Sequence, residues 1–308
     1  MTSHDPGAGG TDGPCLFEGC CGRARSSVRL IDARMPELAR SLTLFRYVQA
    51  VTGGPVARLD QAGSYDVPTL RGEAFAVRPG AIALRLDGAA VTSAAIEREN
   101  GNGGAVTVHL FDEEGRTAHR GRLLSEADRL LAGLAETIGA GAAPTGLPAS
   151  PAVPAWEDGD QLAQLDAILA DGGAARRRAF AAYRGAHRPV DPELVPSVLD
   201  HVCAVGLPLG VGVFGPSALQ ACAGRVHVTD RTHDGRVFAA VDGGSLELDL
   251  AGVQACRLVR STAAHGPTSA LELDDAYGRC VAVLTQFGAV GDQVHRAWEH
   301  LAESLPDA

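Results

Sequence analysis

The feature that most constrains this chain is a pattern that occurs twice. Leu84-Arg85-Leu86 lines up with Leu248-Asp249-Leu250, 164 positions later, and Gly115-Arg116 with Gly278-Arg279, 163 positions later. Between these anchors both copies read alike. Each has an alternating strand, a turn at Asp87-Gly88 or Ala251-Gly252, a second strand, a Gly-containing loop and a third strand. The third strands are Val106 to Leu110 and Ala270 to Leu273, and each ends in an acidic turn closed by glycine, at Gly115 or Gly278. Alternation with a period of two, bounded by glycine turns, predicts antiparallel strands. Each copy then closes with a helix. Ser125 and Asp128 have capping-box spacing before Leu130, Leu131, Leu134 and Ile138, and Val294, Trp298, Leu301 and Leu305 share one face before Pro306. Upstream, Gln49-Ala50-Val51 echoes Gln220-Ala221-Cys222. Two copies are too few for a solenoid, so the predicted fold class is α+β, with two homologous antiparallel-sheet units and their helices.

The rest of the chain divides around this duplication. Residues 1–27 form a Gly-rich, cysteine-containing stretch that reads as a disordered tail, 28–140 the first repeat, and 141–155 an Ala/Gly/Pro linker. Residues 156–206 form a central helical segment and 207–308 the second repeat. In the central segment Leu162, Leu165, Ile168 and Leu169 recur at helical spacing. Arg176-Arg177-Arg178 follows Gly172-Gly173, and a further helix starts at Asp191-Pro192 and ends at Gly206.

Composition narrows the chemistry. All 27 basic side chains are arginine, which excludes a Schiff-base lysine, a Walker lysine and a lysine general base. A net charge of −10 argues against a nucleic-acid partner, and no apolar run approaches a membrane span. Seven scattered cysteines and a start without a secretory pattern predict a reducing, cytoplasmic location. No Gly-x-Ser-x-Gly, His-Glu-x-x-His or dinucleotide fingerprint is present. The pairs Glu113-Glu114 and Asp274-Asp275 read as solvated turn residues. Cys15, Cys20 and Cys21 are three thiols where a tetrahedral metal site wants four ligands. Cys256 and Cys280 read as small core residues on adjacent strands.

Several stretches resemble the hemin-degrading HemS/ChuX family. They are Ser269 to Leu273 with Gly278 and Val281 to Leu284, Gly206 to Gly215 with Gln220, Arg176 to Phe180, and Trp156. The resemblance spans about 40–306, duplication included. It implies a cytoplasmic haem-handling protein of bacterial iron acquisition. Haem would lie in a cleft beside the central helices and one sheet, with a helical histidine on the iron, an arginine opposite, and basic residues on the propionates. Ring opening and simple carriage both occur in the family, and a haem importer or reductase would be the partner.

The sequence departs from that pattern at the site. Counted from Trp156, the ligand position is Ala163, and the last-strand contacts are Val283, Thr285 and Gly288. The family's lysine falls at Ser261, next to Arg260. The family's haem-side arginine matches Arg85 by position. Haem iron needs an imidazole, thiolate or phenolate. Of the ten histidines, His201, on the helix entering the second repeat, and His187, in a preceding loop, are the candidate ligands. Arg85, Arg176 and Arg260 are the candidate propionate contacts. His109 and His265 read as exposed sheet or loop residues, and His295 and His300 as residues of the last helix. The alternative function is a non-enzymatic relative that has lost haem ligation and binds another ligand or a protein partner.

Overall fold

The computed structural model describes residues 26–31, 35–99, 104–138, 160–182, 187–263, 265–288 and 290–308. Cys15, Cys20, Cys21, Trp156 and the 141–155 linker lie outside them. The first half runs β1 (Ser26–Ile31), α1 (Met35–Leu42), β2 (Val48–Gly53), β3 (Ala57–Tyr65), β4 (Thr69–Leu70), β5 (Ala81–Leu86), β6 (Val91–Glu99), β7 (Val106–Asp112), β8 (Thr117–Leu123) and α2 (Glu126–Ile138). Two helices follow, α3 (Gln161–Asp171) and α4 (Ala174–Ala182). The second half runs β9 (His187–Val190), a single 3-10 turn, α5 (Val195–Val205), β10 (Pro208–Gly215), β11 (Ala218–Arg231), β12 (Arg236–Val241), β13 (Gly244–Asp249), β14 (Val253–Ala263), β15 (Gly266–Asp275), β16 (Cys280–Thr285) and α6 (Asp292–Ser304). The same succession thus occurs twice, and the fold is α+β with predominantly antiparallel pairing.

The two halves are interleaved. Five strands of each half pair in the order β1-β6-β7-β8-β2 and β9-β14-β15-β16-β10, and each set continues into β3 or β11. From there each half accepts a strand of the other: β13 pairs with β3, and β5 pairs with β11. The exchange is reciprocal, so neither half closes its sheet alone. It also corrects the repeat alignment. Leu86 pairs with Ala218 as Leu248 pairs with Ala57, so Leu84-Arg85-Leu86 corresponds to Leu246-Glu247-Leu248. A two-residue slip keeps every side chain on its own face, so the sequence pattern tolerates it. Likewise Gln49 lies on β2 and Gln220 on β11, strands that do not correspond.

The turns preserve the duplication in atomic detail. Asp87 accepts from the Ala89 amide, as Asp249 does from Ala251. Asp112 accepts from the amides of Glu114 and Arg116, as Asp275 does from Tyr277 and Arg279. Glu113 and Glu114 are exposed in their turn as expected, but Asp274 and Asp275 are buried, because Asp275 closes its turn and Asp274 pairs with Arg257. Ser125 accepts from the Asp128 amide, but the Asp128 carboxylate turns away to take the amides of Arg46 and Tyr47. Only half a capping box forms. Cys256 and Cys280 are buried as expected, yet β15 separates their strands and they face opposite sides of the sheet.

Three apolar clusters hold the layers together. The largest packs α5 and α6, through Val198, Leu199, Val202 and Trp298, on one face of the second-half sheet. The second packs α1 on the first half, and the third packs α3, through Leu165, Ile168 and Leu169, on the remaining face of the second half. Within the first-half core, His119 bridges Thr52 Oγ1 at 2.7 Å and the Tyr65 hydroxyl at 2.7 Å. Burial, with help from His109 and Arg120, pushes the His119 imidazole down to about 3, and burial raises the Tyr65 hydroxyl. The unfolded histidine titrates near 6.5, so the unfolded chain binds the extra proton between these values, and stability falls as pH drops. We expect His119 to account for about 2 kcal/mol of lost stability at pH 5. Urea midpoints between pH 7.5 and 5 should show this slope, and His119→Leu should flatten it. An equally steep variant would place the dependence elsewhere.

Candidate functional site

The polar chemistry of the second half concentrates where α3 and α4 meet the sheet. Asp160 caps α3 by accepting from the Leu162 amide, and Gly172, at φ 66°, ends it. That left-handed position favours glycine. The helix lays its apolar stripe on Ala221, Ala270, Val283 and Phe287 and sends its polar side chains into the same interface.

Arg85 on β5 is fully buried. Its guanidinium grips Asp166 of α3 with both arms, Nε to Oδ1 at 2.5 Å and Nη2 to Oδ2 at 2.8 Å, and also donates to Thr69 at 3.0 Å. Its carbon lies 5.6 Å from the Phe75 ring centroid, in cation–π range. Glu272 on β15 accepts from Gln164 Nε2 at 2.5 Å and from Arg176 of α4, all three side chains being buried. Gln161 donates to Thr285 and to the Gln286 carbonyl. These contacts fasten the helix pair to three strands.

Beside them Arg257 pairs with Asp274, and Arg177 caps α3 through the Gly172 carbonyl. Burial and the neighbouring Arg177 lower the Arg257 guanidinium pKa. His187 opens β9 across from Val259, on this same sheet face. Burial and then Arg257 lower its imidazole, while Glu272 opposes them.

The five candidate residues are not gathered in one place. Arg85 and Arg176 reach the α3–α4 interface, but each is held in an ion pair with a carboxylate rather than presented to a propionate. His187 lies on the same face. Arg260 does not: strand alternation sends Cys256, Leu258 and Arg260 to the α6 side, where Arg260 meets Glu299 and Glu303. His201 is exposed on α5, the helix that packs on that opposite side. Sequence spacing places residues on elements, but not on faces of a sheet whose strand order is unknown.

Two histidines passed over in the sequence come together instead. His265 follows β14, and His295 sits in the first turns of α6. Their ring centroids are 6.0 Å apart. The His265 Nε2 accepts from the Val290 amide at 2.7 Å. The His295 Nδ1 is buried without a hydrogen-bond partner, as are Gln164 Oε1, Ser261 Oγ and Gln286 Oε1. His109, expected to be exposed, is buried, stacked on Phe111 and bonded to Glu97 at 3.1 Å.

The donor set tests the fit to haem. Ala163 stands on α3 between Gln161 and Gln164, and a methyl cannot ligate iron. Burial pushes the Cys222 and Cys256 thiols up to about 12 and raises that of Cys280, so all three are protonated thiols in the ligand-free interior near neutral pH. Among the described residues, imidazole is the ligand type these elements offer, from His187, His265 or His295. Among the described residues no group of three or more His, Cys, Asp or Glu side chains is placed to hold a bare metal ion. No helix among them is long and apolar enough to cross a membrane.

Solved structures with the same architecture span nearly the whole chain. The holo form of PhuS, a heme-binding protein from Pseudomonas aeruginosa, superposes with a TM-score of 0.72 at 20% identity, over 91% of this chain and 87% of its own. The heme degrading enzyme ChuS of Escherichia coli O157:H7 gives 0.73 at 18% identity, over 90% and 86%. A second ChuS structure, described as an E. coli heme oxygenase, gives 0.71 at 19% identity, over 90% and 88%. No family description and no curated sequence matches the chain. The fold is therefore HemS/ChuX-like, across both halves.

Proposed function

We propose that this protein binds haem at the end of the second-half sheet where α3 begins, and that it carries the haem rather than opening the ring. One observation supports this most: Gln164 Oε1, Ser261 Oγ, Gln286 Oε1 and His295 Nδ1 are four of the buried polar atoms without partners, and their elements, α3, β14, the end of β16 and α6, are linked by contacts at this end of the sheet. Native interiors satisfy such groups, and exceptions mark places where a ligand or water belongs. The shared fold with PhuS and ChuS supports a tetrapyrrole as the ligand. Alanine at 163, where the family resemblance places the helical ligand, favours carriage over the ring opening found in some family members. A cytoplasmic location, and delivery by a haem importer or onward to an acceptor protein, follow from the same reading.

Hemin titration tests it. A saturable 1:1 Soret band is expected, and it should survive ascorbate. Absence of any band overturns haem binding, and ascorbate-dependent loss of the band with new long-wavelength absorption overturns carriage. Ala163→His restores an imidazole at the position the family resemblance marks. It is expected to tighten hemin binding about tenfold or more, the equivalent of roughly 1.4 kcal/mol. A second reading, in which the protein has lost haem for another ligand, is favoured by the engagement of Arg85 and Arg176 in protein ion pairs. It predicts no Soret band in wild type and one in Ala163→His.

A further inference from the structure

We propose that His295, with His265 beside it, supplies the iron ligand that α3 lacks; the proposal rests on the haem reading above. The placement is continuous through contacts. Asp160, the cap of α3, bridges to Thr262 at the end of β14, three residues before His265. Gln161, in the first turn of α3, donates to the Gln286 carbonyl, and the Gln286 amide donates to the Val294 carbonyl, next to His295. Val290, between them, donates to His265. The first turn of α3, the loop after β16 and the first turns of α6 thus converge on two imidazoles, and Ala163 stands in that same first part of α3.

The chemistry suits iron. Haem iron takes a neutral imidazole nitrogen. An Nε2 that accepts from the Val290 amide carries no proton, so His265 is held in the neutral tautomer with its proton on Nδ1. That accepting nitrogen is already engaged, which makes His265 the supporting ring. His295 has a ring nitrogen buried with no protein partner, so ligation of iron would displace no existing bond at that atom. The other histidines fit less well. His201 is exposed on the α5 side. His187 pairs opposite Val259, three residues or about 10 Å along β14 from Thr262. His119 has both nitrogens bonded within the first-half core.

The test is hemin titration followed by absorption and by electron paramagnetic resonance of the ferric complex. It compares the full-length wild type, His295→Ala, His265→Ala and the His187→Ala/His201→Ala double variant. Wild type is expected to give a histidine-ligated signature, high-spin in the ferric state because only one imidazole reaches the iron. His295→Ala should weaken hemin binding about tenfold and lose that signature, with free imidazole restoring it. His265→Ala should cost less, about threefold, and the double variant should match wild type. An unchanged spectrum and affinity in His295→Ala overturns the assignment, and so does loss of the signature in the double variant. A wild type without a Soret band instead fails the haem reading itself, before any ligand is at issue. Should His295→Ala fail to fold by circular dichroism, His295→Gln, which keeps an amide near the nitrogen, carries the same comparison.

Discussion

Asp166→Ala is expected to lower the unfolding free energy by about 3–5 kcal/mol. Arg85 is 0% exposed and gives two of its donors to this carboxylate. Removing the acid leaves a guanidinium in the interior with only Thr69 and the face of Phe75 for company. Water cannot reach it without lifting α3. The Gly72 amide, which donates to Asp166 at 2.9 Å, loses its acceptor too. The cost is that of an orphaned charge and does not measure what the pair contributes. Arg85→Met with Asp166→Leu should therefore recover most of the loss, since apolar pairs of similar volume replace buried ion pairs at little net cost. Urea unfolding of the two single variants and the double variant measures all three values. A single-variant loss below about 1 kcal/mol would mean that solvent reaches the pair.

The uneven legibility of this chain has a physical basis. Strand periodicity and glycine turns depend on neighbours in sequence, so the repeated strands, the helical spacing of α3 and the end of α5 at Gly206 could be read directly, whereas α5 begins at Val195 after a 3-10 turn and not at Asp191-Pro192. The reciprocal exchange of β5 and β13 could not. Alternation says which residues share a face, but nothing about which strand lies alongside. The same blindness let the repeat alignment slip by two residues. It also put Arg260 with Arg85 and Arg176, although Arg260 points to the other side of β14. Arg85 and Asp166 are 81 residues apart, and Gln164 and Glu272 are 108 apart. No local signal announces such pairs. A buried arginine in an alternating strand is a weak hint, since its charge must have a partner somewhere. The pairing of His265 with His295 is hidden for a further reason, because it depends on how the loop after β16 turns back toward the end of β14.

Glu272→Gln separates the stability of this interface from its function. Glu272 accepts from Gln164 and from Arg176, with Arg257 across on β14. The amide keeps the shape and one acceptor, but it removes the charge that neutralises a guanidinium only 1% exposed. Arg176 would then sit buried beside Arg177 without its carboxylate, and we expect a loss of about 3 kcal/mol in unfolding free energy. The effect on ligand should have the opposite sign. If haem lodges where α3 meets the sheet, the closed arrangement competes with it, and the apparent dissociation constant is the intrinsic one divided by the fraction of molecules open to binding. Weakening one tie raises that fraction and also releases Arg176 toward a carboxylate of the ligand. Each 1.4 kcal/mol removed from the closed form can therefore appear as up to tenfold tighter hemin binding. Hemin titration and urea unfolding on the same preparation give both numbers. A variant that is less stable yet binds more tightly means that the α3 contacts oppose ligand entry. One that loses stability and affinity together means that Glu272 holds the binding surface in shape. His295→Ala gives the contrasting case, since an iron ligand removed from the rim should cost affinity while leaving the buried ties, and hence the unfolding midpoint, almost unchanged.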